Sequence, residues 1–281
     1  MGAMLRFSKM HGLGNDFMVI DGISQSVELR AEQIRLWADR HFSVGFDQLL
    51  LVEATDTNGV DFRYRIFNAD GSEVQQCGNG ARCFAKFVYE KGLTNKTEIT
   101  VETASGIIVL YLTDKAEVRV NMGAPNFLPN SLPFSVPGES EVYQLVVDGE
   151  TFEIGAVSMG NPHAVLRVTD IGTAPVEVLG AKIESHPLFP ESVNVGFAEK
   201  IDAHHIKLRV YERGAAETLA CGTGACAAMV TLRKLGEVAD EVKVSLPGGD
   251  LTVSWDGDAS HPVWMTGPAT FVFDGTIDSN I

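Results

Sequence analysis

Basic residues are scarce in this chain. Lys and Arg number 22 against 37 Asp and Glu, the formal net charge is −15, and no Lys/Arg block interrupts the acidic background. A phosphate backbone or an anionic bilayer surface is an unfavourable partner for such a chain, so no nucleic acid and no membrane are expected. No apolar run approaches the length of a membrane-spanning helix, and no signal-peptide pattern precedes the first strand, which points to a cytoplasmic protein. Cysteine is sparse too: Cys77, Cys83, Cys221 and Cys226 suit a reducing compartment better than a disulfide framework. Low proline and an ordinary apolar fraction exclude a disordered or fibrous chain, and 281 residues suffice for two domains.

What is present is a repeat. Cys77-Gly78-Asn79-Gly80-Ala81 returns as Cys221-Gly222-Thr223-Gly224-Ala225, an offset of 144 (221 − 77), and the same offset pairs Arg65 with Arg209, Glu73 with Glu217, Gly92 with Gly236 and Gly123 with Gly267. Each copy reads as a strand, a polar loop, a cysteine, a glycine pair and an apolar helix. The cysteine stands just before a helix start, where unsatisfied N–H groups and the helix dipole favour an anion and lower a thiol pKa. Two activated thiols from two matching halves imply a site at the pseudo-symmetric interface, with one sulfur on each side of a small-molecule substrate.

Periodicity supplies the framework. Helices are predicted over 29–41, 79–91, 176–184 and 223–235, and strands over most of the remainder, with Asp148-Gly149 as a hairpin turn. Both post-cysteine helices are apolar around most of their circumference and should therefore be buried. The fold class is α+β: two pseudo-symmetric domains, each a curved, mainly antiparallel sheet or barrel wrapped around a central helix. The first domain spans 1–123 with 268–281, whose strand near 270–273 has no counterpart in the repeat and should add an edge strand. The second spans 124–267.

Polar residues repeat as well. Asn15 matches Asn161 and Gln48 matches Asn194, while Asn68 matches Glu212 and Asn79 matches Thr223. Singly each Asn is a turn residue; in matched positions of two halves they become ligand candidates, together with His163 and Arg213. Cys83 and Cys226 read as small hydrophobes inside buried helices. For Cys77 and Cys221 a zinc site or an oxidised pair remains open, although the spacings from Cys77 to Cys83 and from Cys221 to Cys226 do not match zinc motifs. Gly222-x-Gly224-x-x-Ala227 resembles a dinucleotide fingerprint, but no acidic residue ends the next strand.

These motifs carry a resemblance. Lys9-Met10-His11-Gly12-Leu13-Gly14-Asn15-Asp16-Phe17, Asn68-Ala69-Asp70-Gly71-Ser72, Gln76-Cys77-Gly78-Asn79-Gly80-Ala81-Arg82-Cys83, Gly160-Asn161-Pro162-His163, Tyr211-Glu212-Arg213-Gly214 and Ala220-Cys221-Gly222-Thr223-Gly224 together resemble the diaminopimelate epimerase family from Met4 onward. The resemblance implies interconversion of LL- and meso-diaminopimelate in lysine and peptidoglycan precursor synthesis, with no pyridoxal phosphate, no metal and a homodimeric enzyme. It implies Cys221 as base and Cys77 as acid in the LL-to-meso direction. Gly78, Asn79, Gly222 and Thr223 would hold the reacting carboxylate, and Glu212 and Asn68 the reacting ammonium. Asn15, Gln48, Asn161, Asn194 and Arg213 would line the distal end, with His163 and Glu212 tuning the thiols. A proline-type racemase and a thiol redox or metal-sensing protein are the alternative readings.

Overall fold

The computed structural model describes residues 4–74 and 78–278. In chain order the elements are β1 (Met4–Gly12), β2 (Asn15–Asp21), α1 (Ala31–Ala38), β3 (Gln48–Glu53), β4 (Phe62–Asn68), β5 (Glu73–Val74), α2 (Gly78–Glu90), β6 (Glu98–Thr103), β7 (Gly106–Leu112) and β8 (Val118–Asn121). There follow β9 (Tyr143–Val147), β10 (Glu150–Ser158), β11 (Pro162–Val168), α3 (Val176–Glu184), β12 (Asn194–Asp202), β13 (His205–Glu212), β14 (Ala216–Thr218) and α4 (Gly222–Lys234). The chain closes with β15 (Glu241–Leu246), β16 (Gly249–Ser254), β17 (Trp264–Gly267) and β18 (Thr270–Asp278). Two compact units result: Met1–Val120 with Gly267–Ile281, and Asn121–Thr266.

Each unit repeats one topology. In the first, the strand order is β18-β1-β2-β3-β4-β6-β7-β8, with β5 as a stub on β4. In the second it is β9-β10-β11-β12-β13-β15-β16-β17, with β14 as a stub on β13. Most neighbours are antiparallel; the parallel pairs are β2–β3, β4–β6, β11–β12 and β13–β15. A parallel pair requires a crossover, and each of the four is bridged by one helix: α1 and α2 in the first unit, α3 and α4 in the second. The outermost strand comes from opposite chain ends, β9 leading the second unit and β18 finishing the first. β18 pairs with β1 from Met4↔Asp278 to His11↔Thr270, which makes it nine residues long.

The helices lie on opposite faces of each sheet, so central strands are apolar on both sides. In β3, Leu49 and Leu51 pack with Ile34 and Trp37 of α1, whereas Leu50 lies against α2 at Gly80. In the second unit Val176, Leu179 and Ile183 of α3 pack with Ile154, Val195 and Phe197. The central helix α4 touches β10, β11, β12, β13, β15 and β16, and Gly222 and every residue from Gly224 to Leu232 are buried. At Gly155 of β10 an added Cβ would lie 2.2 Å from Thr231 Cγ2, so only glycine lets α4 approach this closely. The wrap expected from the sequence is present, but among the described residues β9 and β17 do not pair with each other, and neither do β18 and β8. Each sheet is therefore open and not a barrel.

Two local expectations are adjusted. The first helix is shorter than 29–41, because Asp39 turns extended and its carboxylate accepts the N–H groups of His41 (2.8 Å) and Phe42 (3.0 Å), an Asx turn that competes with further helix. The hairpin at Asp148-Gly149 forms as expected, with both residues at positive φ (53° and 85°).

Candidate active site

The sheet register gathers the candidate residues of the second unit. β11 and β12 start side by side, pairing His163 with Asn194, and β13 runs antiparallel to β12, so Glu212 and Arg213 finish where Asn194 begins. β14 returns to Glu212 through Ala216, and α4 then starts at Gly222 with Cys221 as its N-cap. The same register in the first unit sets Gln48 between Phe17 and Asn68. Gly14 and Gly160 precede Asn15 and Asn161 at φ 90° and 89°, a left-handed conformation that glycine adopts without strain.

Cys221 is 5% exposed. Its sulfur accepts the Gly224 N–H (3.3 Å) and lies 3.6 Å from Thr223 Oγ1. Sequence reasoning expected a helix start to acidify this thiol, and here the structure corrects it. Burial, followed by the negative charge of Glu212, pushes the thiol well above its ordinary range, and the opposing bonds from Thr223 and Gly224 do not offset them. Cys221 is thus a protonated thiol at rest. Glu212 is itself fixed by Thr218, whose hydroxyl donates to Oε1 at 2.5 Å.

His163 is 1% exposed. Burial, then the Arg213 charge, pushes its pKa down to about 3, so it is a neutral imidazole. Nε2 meets Asn161 Oδ1 at 3.0 Å, Asn161 Nδ2 donates to Thr223 Oγ1 at 3.3 Å, and His163 Nδ1 is buried without a hydrogen-bond partner among the described residues. Asn194 donates to the Pro162 carbonyl (2.9 Å) and accepts the Arg213 N–H (3.0 Å), so it ties the starts of β11 and β12 to the end of β13. The exposed guanidinium of Arg213 donates to the Glu191 carbonyl at 3.1 Å.

In the first unit Cys77 lies outside the described residues. Gly78 opens α2, Asn79 Nδ2 donates to Asn15 Oδ1 (3.3 Å), and Gln48 donates to Asn68 Oδ1 (3.0 Å). Asn15 Nδ2 in turn donates to Asp47 Oδ2 at 3.0 Å. Asp47 belongs to a charge network that sequence reasoning missed. Arg40 bridges Asp16 (2.7 and 2.9 Å) and Asp47 (2.8 Å), while the buried Lys9 ammonium reaches Asp16 at 2.6 Å and also donates to the Gly45 carbonyl. Burial would raise the Asp16 pKa, but the bonds from Arg40 and Lys9 hold it well below the usual carboxylate range. Arg82 was missed as well. It is fully buried in α2 and donates to Asn79 Oδ1 (2.8 Å), Gly78 O (3.3 Å) and Pro268 O (3.1 Å). An arginine one turn into the helix, flanked by Ala81 and Cys83 on its apolar side, was the available signal. Thr218, at the end of β14, had only the signal of its place shortly ahead of Cys221.

Among the described residues no three His, Cys, Asp or Glu side chains are grouped to hold a metal ion, and no helix is long and apolar enough to cross a membrane. Chemically, the second unit offers a buried thiol at a helix start, a carboxylate beside it and backbone N–H groups suited to an anion.

Comparisons with known proteins show the family of the chain and its fold. The family model described as diaminopimelate epimerase matches residues 7–128 and 155–272. A diaminopimelate epimerase of Thioalkalivibrio sulfidiphilus (strain HL-EbGR7) is 60% identical over 275 residues, covering 98% of this chain and 99% of the relative. One from Pseudomonas fluorescens is 58% identical over 274 residues with the same coverage. Among solved structures, a hydroxyproline epimerase from Agrobacterium vitis superposes with a TM-score of 0.69 at 18% identity over 99% of this chain and 93% of its own. A Bacillus anthracis protein of the PhzF phenazine-biosynthesis family gives 0.67 at 17% identity over 98% and 99%. At such identities these two speak to the fold alone: a two-domain α+β arrangement of strands and four helices. With the match extending over nearly its full length, the chain is an epimerase and belongs to the diaminopimelate epimerase family.

Proposed function

We propose that this enzyme interconverts LL- and meso-diaminopimelate by a two-thiol proton transfer, serving lysine and peptidoglycan precursor synthesis in the cytoplasm. The observation that carries the reading is Cys221 at the start of α4, with the Gly224 N–H on its sulfur and the Glu212 carboxylate beside it. Inverting a stereocentre needs a base on one face and an acid on the other. Cys221, as thiolate, takes the α-proton, and Cys77, as thiol, delivers a proton to the opposite face; in the reverse direction the roles exchange.

The resting protonation of Cys221 gives the substrate a part in activation. The same Glu212 charge that disfavours the thiolate is the partner for the reacting ammonium, together with Asn68. Once Glu212 is paired with a cation, the main charge opposing ionisation is neutralised, and the thiol proton leaves to solvent. The α-carbanion has no electron sink in this mechanism, which uses neither pyridoxal phosphate nor a metal. Its charge spreads onto the carboxylate, which the helix-start N–H groups of Gly78, Asn79, Gly222 and Thr223 hold. If each donor acts as an oxyanion-hole donor does, at about 3 kcal/mol, four supply on the order of 10 kcal/mol as an upper bound. Asn15, Gln48, Asn161, Asn194 and Arg213 bind the distal amino-acid end, and His163 tunes the thiol. The exposed apolar side chains Met4, Val272 and Phe273 on β1 and β18 are the surface we assign to a homodimer.

The test is proton exchange. Chelated, pyridoxal-free protein incubated with diaminopimelate in D2O should wash deuterium into the α-position, seen as loss of the α-proton NMR signal. Undiminished protium would sink the proposal.

A further inference from the structure

Two matched pairs of charged residues in the repeat, Arg65 with Glu73 and Arg209 with Glu217, lie outside the proposed ligands. Both pairs close a bidentate fork. Arg209 Nε and Nη2 donate to the two oxygens of Glu217 at 2.6 and 2.7 Å, and Arg65 does the same to Glu73 at 2.9 and 2.8 Å. Each fork joins a long strand to the short strand that follows it, in the same register: Phe67↔Glu73 and Ile66↔Val74 in the first unit, Tyr211↔Glu217 and Val210↔Thr218 in the second. Strand alternation assigns the faces. On β13 Tyr211 lies toward α3, where a Cβ at Gly180 would meet its own Cβ at 2.7 Å, and Val210 lies toward α4, its Cγ2 3.0 Å from a Cβ at Gly224. Arg209 therefore shares the α3 face with Tyr211, and Glu212 the α4 face with Val210. Opposed residues of a ladder share a face, so on β14 Glu217 points to the α3 side and Thr218 to the α4 side. The hydrogen bonds agree: Arg209 Nη1 donates to the Ile171 and Ala174 carbonyls ahead of α3 (3.1 and 3.4 Å), and Thr218 Oγ1 donates to Glu212 Oε1 at 2.5 Å.

β14 has three residues, too few for its ladder alone to hold the register firmly. A slip of one residue would turn Glu217 toward α4 and Thr218 away from Glu212. The fork is charge-assisted and bidentate, which gives it both strength and direction. Its side chains are 26% and 20% exposed, so it is better shielded than the open surface pairs that contribute little. We infer that the Arg209–Glu217 fork is a positioning element of the site: from the α3 face it fixes the register of β14, which aims Thr218 at Glu212 and holds that carboxylate beside Cys221. Arg209 and Glu217 act from the opposite face of the sheet, through Thr218, and are positioning residues. Among the described residues, the charges that bear on this assembly are Glu177 of α3, on the Arg209 side, and Glu212, on the thiol side. The inference rests on the proposed function only in taking Glu212 and Cys221 as the working pair.

The experiment reads the thiol without substrate, so a failure to exchange diaminopimelate would refute the proposed function and leave this measurement intact. The pH midpoint of Cys221 alkylation by iodoacetamide, located by peptide mass spectrometry, is compared in the wild type, Glu217→Gln, Thr218→Val, Thr218→Ser and the two double variants. Without its anchor the Glu212 carboxylate spends less time at the sulfur, and its opposition to the thiolate weakens. Glu217→Gln and Thr218→Val should each lower the midpoint by about half a unit or more, a part of the roughly one- to three-unit effect of a like charge at close range. Thr218→Ser keeps the hydroxyl and should titrate with the wild type. The changes should not add: Glu217→Gln should shift the midpoint on the serine background and leave it unmoved on the valine background, where the hydroxyl it positions is gone. An unmoved midpoint in Glu217→Gln or Thr218→Val, or a serine variant titrating with valine, would overturn the inference. Equal shifts on the two backgrounds, the mark of general loosening, would overturn it as well. Should Glu217→Gln not fold, Arg209→Lys, which keeps the charge and loses the fork, takes its place in the same cycle.

Discussion

Glu212→Gln separates two effects that most active-site substitutions confound. In the free enzyme the Glu212 carboxylate is the main charge that keeps Cys221 protonated, second only to burial. A like charge at close range shifts a titratable group by roughly one to three pKa units, so its removal should lower the Cys221 midpoint by at least about one unit. Near-isosteric glutamine keeps an oxygen for the Thr218 hydroxyl, which now donates to Glu212 Oε1 at 2.5 Å, and burial of the sulfur is unchanged. The thiolate fraction on the acid limb should rise about tenfold per unit. Nucleophilicity falls with pKa, with a Brønsted coefficient of roughly 0.4–0.5, so the alkylation rate itself should rise only about three- to fourfold. Turnover should move the opposite way. Losing the charged partner of the substrate ammonium costs roughly 2–5 kcal/mol, about 30- to 5,000-fold in kcat/KM. The assays are the iodoacetamide pH profile of Cys221 and coupled epimerase kinetics on the same preparation. A more acidic thiol in a slower enzyme is the expected pair of results. An unchanged midpoint would show that Glu212 does not control the thiol, and unchanged kcat/KM would refute its role toward the ammonium.

Arg213→Ala removes the one guanidinium among the proposed ligands while its backbone N–H still holds Asn194. It should lower kcat/KM on diaminopimelate about 30- to 5,000-fold and narrow the preference over lysine, which lacks the distal carboxylate; an unchanged preference would show the assignment to be wrong. Asp16→Asn should destabilise the fold by about 3 kcal/mol at neutral pH, because Lys9 and Arg40 lose their carboxylate. Because the folded pKa is depressed, the contribution of Asp16 is present above the unfolded value near 4 and is lost as pH falls toward the folded one. The stability gap between wild type and variant in urea titrations should therefore be constant above about pH 4 and narrow progressively below it, and a gap that does not narrow with acid would contradict the network. Gly155→Ala places a Cβ 2.2 Å from Thr231 Cγ2 and should cost about 1–3 kcal/mol in the same assay, with kinetics near wild type; equal stability would mean that α4 has room to shift.

The repeat was legible in the sequence because it depends on local chemistry. Cys-Gly-x-Gly-Ala before an apolar run states a helix start and a buried helix wherever it occurs, and two copies state two similar halves. The helix over Val176–Glu184 and the Asp148-Gly149 hairpin were legible for the same reason, since apolar spacing and turn residues act within a few positions. The tertiary structure decided whatever depends on distant partners. That β2 lies parallel to β3, and β11 to β12, is set by crossovers through α1 and α3, and only this register puts His163, Asn194 and Glu212 in one row. The length of β18 comes from its pairing with β1 at the far end of the chain. The networks around Asp16 and Arg82 join residues separated by 24 and 186 positions. The thiol shows the division most plainly. Its place before a helix start argued for a lowered pKa, and the Gly224 N–H does bond the sulfur. How deeply Cys221 is buried and which carboxylate stands beside it are properties of the folded chain, and together they outweigh the helix and leave the resting thiol protonated.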